Sequence, residues 1–449
     1  MTQIISDLQI HSKYARAVSQ QMVIPEIAKW AKIKGIGLMA TGDWTHPLWY
    51  KELQANLEED GSGILKVKND SETGVKFLLS GEVSCIYSQG GKGRRVHTLI
   101  FAPDFSTVEK INTQLVKLGC NLMSDGRPII GLTSIQLAEA VFGINKDCLI
   151  VPAHVWTPWF ALFGSMSGFD SIAEAFGLYA DKIYAVETGL SSDPAMNWRI
   201  KELDNRSILS FSDAHSGPKI GREATVFQTK NIKKNCVISF KDIAGAIKQD
   251  ASSDWEIGYT IEFYPEEGKY HYTGHRACGV RQSPEETNKN GIICPACGKP
   301  LTVGVMHRVE KLAGRTEKDL QITKKEIPNT KISGIYNGLF PNRPPYLMLV
   351  PLQEIIAESI NSQTASDKVQ GEYQKITRAL GGEFNVLINS SMEEITAISG
   401  AKIAEGIQKV RTGNIVIDPG YDGVFGVVKI WGTESEKLVS EEKKQLTLF

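Results

Sequence analysis

Long hydrophobic runs and an excess of either charge are both missing from this 449-residue sequence. No apolar run approaches the roughly 18 residues that a membrane-spanning helix needs. The first residues, MTQIISDLQIHS, lack the basic flank and apolar centre of a signal peptide. The formal net charge is −1, so any binding of nucleic acid would depend on a local basic surface. These absences predict a cytoplasmic protein that is not bound to a membrane.

Cysteine is also scarce, and seven copies are an odd number for a disulfide framework. Four of them lie far apart in apolar surroundings and are expected to be reduced core residues: Cys85, Cys120, Cys148 and Cys236. The other three lie close together in the second half of the chain, which is typical of metal ligands.

Two short motifs contain these three cysteines, and both have the order ligand, two residues, Cys, Gly: HRACG (275–279) and CPACG (294–298). Two facing knuckles of this kind form a tetrahedral zinc site that leaves no open position for chemistry. We therefore predict a structural zinc held by His275, Cys278, Cys294 and Cys297. His271 is the alternative fourth ligand, although its spacing is irregular.

Seven short apolar runs in the first half of the chain are typical of β-strands. Helical patterns such as PEIAKWAKIK and SIQLAEAVFGI lie between most of them. Strands that alternate with helices indicate a parallel α/β barrel or wound sheet. The predicted strands are Gln3–Gln9, Ile36–Thr41, Lys76–Glu82, Arg95–Ala102, Cys148–Ala153, Lys182–Glu187 and Arg206–Ser212.

Ionisable side chains occur where most of these predicted strands end. They are His11, Asp43, Glu82, His154, Glu187 and Asp213, whereas His97 lies within its strand. In α/β barrels the same end carries the loops that form the active site. Imidazole and carboxylate groups suit zinc, manganese or iron, and their number fits two or three ions better than one. Several divalent ions together can bind both oxygens of a phosphoryl displacement and supply a hydroxide.

The motifs DLQIHS, TGDWTHP, GEVS, two isolated histidines and SDAHS occur in order and resemble those of the PHP (polymerase and histidinol phosphatase) phosphoesterases. The resemblance covers about residues 1–225 and implies a distorted seven-stranded α/β barrel with a two- or three-metal centre of zinc, manganese, magnesium or iron. The ligands that it implies are Gln9, His11, Asp43, His46, Glu82, His97, His154, Asp213 and His215. Catalytic roles would fall to Asp213, which would bridge metals or orient water, and to His11, Glu82 and His154.

Gln9 departs from the PHP pattern, in which this position is normally histidine. An amide oxygen binds soft divalent ions less well than an imidazole does. We therefore predict that Gln9 lowers the metal occupancy, and the activity of this particular chain stays an open question.

The second half of the chain resembles the endonuclease Q family in the segments EGKYHYTGHRACGVRQSPEE, CPACGKPLTVGVMHRVE, PNRPPYLMLVPLQEI and PGYDGVFG. This resemblance implies an endodeoxyribonuclease that flips a deaminated base (uracil, hypoxanthine or xanthine) or an abasic site out of the duplex and hydrolyses the phosphodiester on its 5′ side. The stretch VETGLSSDPAMNWR has small hydroxyl and amide groups, which can read a flipped base. The resemblance implies a lesion pocket formed with Glu187, Ser191, Ser192 and Asn197. SSDP also fits a helix N-cap followed by proline, and both interpretations can hold.

Basic residues near these motifs are candidates for contacts with the DNA backbone: Lys92, Arg94 and Arg95 in the loop SQGGKGRR, and Lys13, Arg16, Arg199 and Arg222. At the end of the chain, after a charged stretch, Gln445, Leu446, Leu448 and Phe449 resemble the pentapeptide by which bacterial DNA enzymes dock on the sliding clamp. The alternative is an apolar end that packs on the protein itself.

These patterns divide the chain into a PHP domain (1–225), a connecting segment (226–258), a zinc-binding module (259–311), a mainly helical C-terminal domain (312–436) and a flexible tail (437–449). We expect a monomer that binds damaged DNA and, through its tail, a sliding clamp. Two other functions stay open: a PHP-type phosphatase of a small ester, and a catalytically weakened DNA-binding or clamp-associated protein. A preference for damaged duplex would argue against the first, and metal-dependent nicking would argue against the second.

Overall fold

A computed structural model describes residues 2–231 and 237–432 of the chain. Its contacts divide the chain into two compact units. Unit 1 comprises the residues up to Lys32, Ile36–Gly189 and Glu202–Thr260, and unit 2 comprises Ile33–Gly35, Leu190–Lys201 and the residues from Ile261 on. This grouping differs from the predicted division: most of the connecting segment belongs to unit 1, residues 190–201 belong to unit 2, and the zinc-binding module and C-terminal domain are parts of the same unit.

The strands of the described residues are β1 (Gln3–Asp7), β2 (Leu38–Ala40), β3 (Leu57–Glu59), β4 (Leu65–Val67), β5 (Lys76–Gln89), β6 (Lys92–Ala102), β7 (Ile129–Ile130), β8 (Leu149–Pro152), β9 (Ala185–Glu187), β10 (Ser207–Leu209), β11 (Ala224–Thr229), β12 (Trp255–Glu262), β13 (Thr273–His275), β14 (Val280–Gln282), β15 (Thr323–Glu326), β16 (Ser333–Tyr336), β17 (Tyr346–Met348), β18 (Val416–Asp418) and β19 (Val427–Lys429).

The α-helices of the same residues are α1 (Ile24–Lys34), α2 (Pro47–Asn56), α3 (Phe105–Lys117), α4 (Ser134–Ile144), α5 (Ile172–Phe176), α6 (Pro194–Trp198), α7 (Phe240–Ile247), α8 (Pro284–Asn290), α9 (Val305–Leu312), α10 (Leu352–Ser359), α11 (Asp367–Ala379) and α12 (Met392–Thr412). None of these helices combines the length and the apolar character that crossing a bilayer requires.

All seven predicted strands of unit 1 are present, as β1, β2, β5, β6, β8, β9 and β10. Strands β1, β2 and β5 pair in parallel, and so do β9 and β10. Backbone hydrogen bonds beyond the strand ends continue the pairing around a ring: His11 N–H donates to Ala214 O (3.0 Å), beside a bridge between Ile10 and Ala214, and Val155 N–H donates to Glu187 O (3.1 Å). The seven strands therefore form a distorted ring whose neighbours are all connected.

The expected all-parallel arrangement is wrong at β6, which runs antiparallel to both β5 and β8. The reason is the two-residue turn between β5 and β6, where Gly90 and Gly91 have φ angles of 59° and 73°. Positive φ at both central residues is typical of the type I′ turn that closes a β-hairpin. The segment SQGGKGRR is therefore a hairpin whose basic residues lie on β6, not in a loop.

The core of unit 1 explains why the predicted connecting segment belongs to this unit. Leucine side chains of the ring, such as Leu8, Leu78 and Leu149, are buried together with Ile243 of α7 and Trp255 of β12. Helix α7 begins at a capping box in which Ser239 and Asp242 each accept a hydrogen bond from the other's backbone N–H. The predicted connecting segment thus packs on the ring, and its helix begins at its own capping box.

Unit 2 contains short strands as well as helices. Helices α10, α11 and α12 occur where the sequence predicts helical structure, but β15 to β19 lie in the same region, so "mainly helical" is only partly correct. Strands β13 and β14 pair as a hairpin, and β18 pairs with β19. The final segment with the predicted clamp motif lies outside the described residues, as does Cys236.

Candidate metal centre

Histidine and carboxylate side chains converge in unit 1 at the predicted end of the ring. Three of them, Asp43, His154 and Asp213, have φ angles of 44°, 31° and 48°. Residues other than glycine rarely adopt positive φ, and backbone strain of this kind is concentrated at functional sites. The sequence thus maintains an unfavourable backbone at three predicted ligand positions.

Glu82 is the carboxylate around which three imidazoles gather, and it is 2% exposed. Its Oε1 lies 2.6 Å from His97 Nδ1 and 3.6 Å from His154 Nε2, and its Oε2 lies 3.1 Å from His11 Nε2. Glu82, His97 and His154 form one set in which the potential ligand atoms all lie within 4.8 Å of one another. This set has the composition and the spacing of a divalent metal site.

A second three-ligand set consists of His11, Asp213 and His215, again with ligand atoms within 4.8 Å of one another. His11 Nε2 lies 3.1 Å from Asp213 Oδ1, and His215 Nδ1 lies 3.8 Å from the same oxygen. Because His11 Nε2 also contacts Glu82, the two sets are adjacent. The arrangement offers sites for two neighbouring cations.

Asp43 and His46 lie in neither three-ligand set. Asp43 accepts hydrogen bonds from the backbone and the hydroxyl of Ser12, and its Oδ1 lies 2.9 Å from His11 Nδ1. A carboxylate in this position fixes the orientation of the ring whose other nitrogen faces the ligand cluster. His46 stacks on Tyr14, with ring centroids 4.5 Å apart, and burial lowers its pKa.

Gln9 occupies the expected ligand position and is buried. Its Nε2 donates to Glu82 Oε2 (2.8 Å), while its Oε1 has no hydrogen-bond partner among the described residues. A buried acceptor without a partner costs about 1–3 kcal/mol. This oxygen is therefore available to a cation, although as a weaker ligand than imidazole for a soft metal.

The pKa values of the first set favour its metal-binding forms. Burial lowers the pKa of His97 to about 4, which keeps the ring neutral. Burial alone would raise the pKa of Glu82, but the charge of Arg127 and the hydrogen bonds with His11 and His154 hold it well below its usual value. A neutral imidazole and an ionised carboxylate are the forms that coordinate metals.

The charges around the second set favour a protonated His11. Burial lowers the pKa of His11, but the charge of Asp43 and the hydrogen bond with Asp213 raise it well above its usual value. The pKa of Asp213 is lowered against the effect of burial, chiefly by its hydrogen bond with His11. Binding of a cation would displace the proton of His11, because metal ligands must be deprotonated.

Arg127 is a member of this cluster that the sequence interpretation missed. Its guanidinium NH1 lies 3.6 Å from Glu82 Oε1 and 3.4 Å from His11 Nε2, and the side chain is 25% exposed. Burial lowers its pKa, but the charges of Glu82, Asp213 and Asp43 outweigh this effect and raise it. The residue lies in the turn segment SDGRP just before β7, where an arginine by itself suggests only a solvated surface.

The predicted ligands His275, Cys278, Cys294 and Cys297 form a separate cluster in unit 2, with ligand atoms within 4.8 Å of one another. Burial raises the pKa of Cys294, but hydrogen bonds from His275 and from the backbone of Ala296 and Cys297 lower it to about 6. No disulfide joins the described cysteines. The alternative ligand His271 is buried outside this cluster, and burial lowers its pKa to about 3.

Two solved structures resemble this chain over its length. The lesion-specific endonuclease PfuEndoQ of Pyrococcus furiosus is 32% identical, with a TM-score of 0.78, and the match covers 98% of this chain and 99% of that one. A complex of endonuclease Q with a 27-mer duplex carrying an abasic lesion at the active site gives the same identity and TM-score, with 98% and 100% of the two chains covered. This chain belongs to the endonuclease Q family.

Two further relatives of this endonuclease Q family member carry the description "uncharacterized". The uncharacterized protein YqxK of Bacillus subtilis is 28% identical over 449 residues, which is 96% of this chain and all of YqxK. The uncharacterized protein MJ0043 of Methanocaldococcus jannaschii is 33% identical over 277 residues, so the match spans 61% of this chain but only 31% of MJ0043. Residues 351–414 match the family model described as the MJ0043 C-terminal domain.

The residues predicted to form a lesion pocket fall into two groups in this family member. Glu187 is buried in unit 1, where its Oε2 accepts a hydrogen bond from His154 N–H (2.7 Å), and burial raises its pKa well above the usual value. In unit 2, Ser192 and Asn197 are fully buried, and Asn197 Nδ2 donates to Ser192 Oγ (3.1 Å). Asp193 accepts from Met196 N–H at the start of α6, so the helix-cap interpretation of SSDP is confirmed. Ser191 is half-buried, and the pocket itself stays a prediction.

Two of the predicted DNA-contacting arginines point into the protein, which corrects the expectation that they are free to bind phosphates. Arg94 is 7% exposed and pairs with Glu174 (2.8 Å), and Arg199 is 4% exposed and pairs with Glu310. Lys92, Arg95 and Arg16 are exposed, Arg222 donates to Ser212 O (2.9 Å), and Lys13 pairs with Glu52 (2.9 Å).

Proposed function

We propose that the chain is a metal-dependent DNA repair endonuclease that hydrolyses the phosphodiester 5′ to a deaminated base or an abasic site. The observation that carries the proposal is the pair of adjacent three-ligand sets around Glu82 and His11. Two neighbouring divalent ions are the arrangement that many phosphodiesterases use for in-line displacement. The abasic duplex bound by the related endonuclease Q supports DNA as the substrate class.

Two divalent ions, when bound, would polarise the phosphate and supply a hydroxide at neutral pH. Glu82, His97 and His154 would hold one ion, and His11, Asp213 and His215 the other. The protein groups around them position the reacting atoms. Asp43 orients the His11 ring, and Asp213 would orient the attacking water. Arg127 adds a fixed positive charge for a non-bridging phosphate oxygen.

Recognition of uracil, hypoxanthine or xanthine is part of the same proposal. Glu187, Ser191, Ser192 and Asn197 would read the flipped base through hydrogen bonds. Burial that raises the pKa of Glu187 favours a protonated carboxyl, which can donate as well as accept. His275, Cys278, Cys294 and Cys297 would bind a structural zinc, since all four positions of a tetrahedral site are occupied by protein ligands.

The test uses an end-labelled duplex with one uracil, one hypoxanthine or one abasic site, incubated with protein and manganese or magnesium. We expect a single cut directly 5′ of the lesion and an intact undamaged duplex. Asp213→Asn removes one ligand charge with little change of shape and should abolish the cut. Asp181→Asn makes the same chemical change at an exposed position of unit 1 and should cut normally.

Cleavage of a small phosphate ester without cleavage of damaged duplex would support the phosphatase alternative. Nicking that appears only in a Gln9→His protein would mean that the family assignment is right and the centre is weakened. The clamp-docking role of Gln445, Leu446, Leu448 and Phe449 is a separate proposal, and loss of clamp binding on deleting these residues would test it.

A further inference from the structure

A tight turn in unit 2 carries an exposed aromatic side chain. Tyr421 and Val424 exchange backbone hydrogen bonds (3.0 and 2.8 Å), and the two residues between them, Asp422 and Gly423, have φ angles of 42° and 85°. Positive φ at both central residues is characteristic of the type I′ hairpin turn, for which Asp-Gly is a favoured pair. Phe425 follows directly and is 64% exposed.

The turn is attached to the zinc-binding module by both backbone and side-chain hydrogen bonds. Asp422 Oδ2 accepts from Arg276 N–H (2.7 Å), and its Oδ1 accepts from Thr302 Oγ1 (2.6 Å). On the other side Gly426 N–H donates to Glu267 O (3.0 Å), and a Cβ at Gly426 would lie 2.0 Å from Glu266 O. The turn is therefore fixed on both flanks, and Phe425 is displayed at a defined position.

Phe425 is one of three exposed apolar side chains in and beside this turn. An aromatic side chain usually buries about 150–250 Å² on folding, whereas Phe425 stays mostly in water next to Val424 and Val427, which are 40% and 44% exposed. Isolated exposed apolar residues are normal, but a cluster on a fixed turn indicates an interaction site.

One exposed cation lies over the ring, and a second lies against the turn that carries it. Lys269 Nζ lies 4.5 Å from the centroid of Phe425, and the Arg276 guanidinium lies against the turn, 3.1 Å from where a Cβ at Gly423 would be. Both basic residues are exposed. Proteins that bind single-stranded or unstacked nucleic acid combine exposed aromatic rings, which stack on bases, with nearby cations, which contact phosphates.

We propose that Phe425 is a base-stacking residue, and that Lys269 and Arg276 bind the phosphates on either side of the stacked nucleotide. The inference rests on the proposed function, because it assumes that DNA is the substrate. Since Lys269 covers one face of the ring, Phe425 stacks on a single unpaired base with its other face and does not intercalate between two bases. The ligand that fits is an unpaired base, such as the base that lies opposite an extruded or abasic nucleotide.

The experiment measures binding of a fluorescein-labelled duplex with one abasic site by fluorescence anisotropy, using full-length Asp213→Asn protein so that the DNA stays intact. We expect Phe425→Ala to weaken binding about 5- to 150-fold, the range measured for loss of one aromatic–base stack. Phe425→Trp should bind within about threefold of the parent, because its ring also stacks. Phe425→Leu, which is apolar but not aromatic, should be as weak as the alanine variant.

Salt dependence separates the roles of the ring and the cations. Lys269→Gln should lower the slope of log K against log salt by about 0.9 for each lost phosphate contact, and Phe425→Ala should leave that slope unchanged. Leu178→Ala removes an 81% exposed apolar side chain in unit 1 and serves as the matched control, with no expected change. Equal zinc content and equal melting temperature of the Phe425 variants verify that the turn and the module stay folded.

Binding by Phe425→Ala within twofold of the parent, with a wild-type protein that nicks the lesion, would overturn this inference alone. Equal binding by the leucine and tryptophan variants would show an apolar contact, not stacking, and would overturn it too. A wild-type protein that neither nicks nor binds the damaged duplex would overturn the proposed function and this inference together.

Discussion

Replacing Arg127 by glutamine should strengthen metal binding and weaken DNA cleavage at the same time. The guanidinium is a cation within 3.6 Å of a predicted metal ligand, so it competes electrostatically with the metal ions for the carboxylates of the centre. It is also the one cation in the described cluster, apart from the histidines, that is placed to contact an anionic substrate. The same variant should therefore bind metal more tightly and cleave DNA more slowly.

The magnitude follows from the geometry. Two unit charges 3.6 Å apart interact by about 4–5 kcal/mol at an effective dielectric constant of about 20. The Arg127 side chain is 25% exposed, so solvent screens part of this interaction, and about 1–2 kcal/mol is a realistic net effect on metal affinity. At about 1.4 kcal/mol per factor of ten, the metal dissociation constants should fall about 5- to 30-fold.

The cost to catalysis comes from the lost contact with the phosphate. A hydrogen bond to a charged group contributes about 1.5–3 kcal/mol, which corresponds to a decrease of about 10- to 150-fold in kcat/KM for nicking. Titration with manganese against a competing chelator measures the first effect, and single-turnover nicking at saturating manganese measures the second. Lys117→Gln is the matched control, because it removes one positive charge from an exposed position of unit 1.

Weaker manganese binding by Arg127→Gln would refute the reasoning, because it would mean that the arginine supports the metal sites and does not oppose them. Unchanged nicking at saturating metal would refute the phosphate contact. Normal values for both quantities would leave the guanidinium with only a structural role.

Three further changes have defined outcomes. Gln9→His should increase the bound metal per chain in elemental analysis, because imidazole is the better ligand, and equal metal content in both proteins would contradict the role assigned to Gln9. Cys294→Ser should abolish zinc binding and lower the melting temperature, whereas Cys120→Ser, outside the zinc cluster, should leave the zinc content unchanged. His271 should make the free energy of unfolding depend on pH. Its pKa is about 3 in the folded protein and about 6.5 in the unfolded chain. Its contribution to stability is therefore complete above pH 6.5 and is lost as the pH falls toward 3, because the unfolded chain takes up the proton first. In urea titrations, the free energy of unfolding of wild type should decrease by about 2 kcal/mol more between pH 7 and pH 5 than that of His271→Phe. Equal decreases in the two proteins would mean that His271 is not a buried neutral histidine.

The sequence was sufficient for those parts of the molecule that depend on local pattern. Alternating apolar runs predicted all seven ring strands, and the spacing of HRACG and CPACG predicted a four-residue cluster that the fold does bring together. Both signals depend on residues that are near one another in the chain. The Gly-Gly turn between β5 and β6 was an equally local signal for a hairpin, and the interpretation of SQGGKGRR as a loop overlooked it.

Features that depend on distant partners could not be predicted in this way. Arg94 and Arg199 looked like surface cations because their partners Glu174 and Glu310 are about 80 and 111 residues away in sequence. Arg127 looked like an ordinary turn residue for the same reason. Burial of a charge is decided by tertiary packing, and a single sequence carries no local trace of it.

The ring of strands in unit 1 is closed at two places by backbone hydrogen bonds that lie beyond the regular strand pairs, and this has a consequence for its dynamics. One closing donor is the amide of His11 itself, and the other is the amide of Val155, next to His154. Local opening of either seam would separate ligands without unfolding the unit, and bound metal would oppose such opening by linkage. Bound metal would thus keep the ring closed. The rate at which these two amide hydrogens exchange with solvent would then report how much metal is bound.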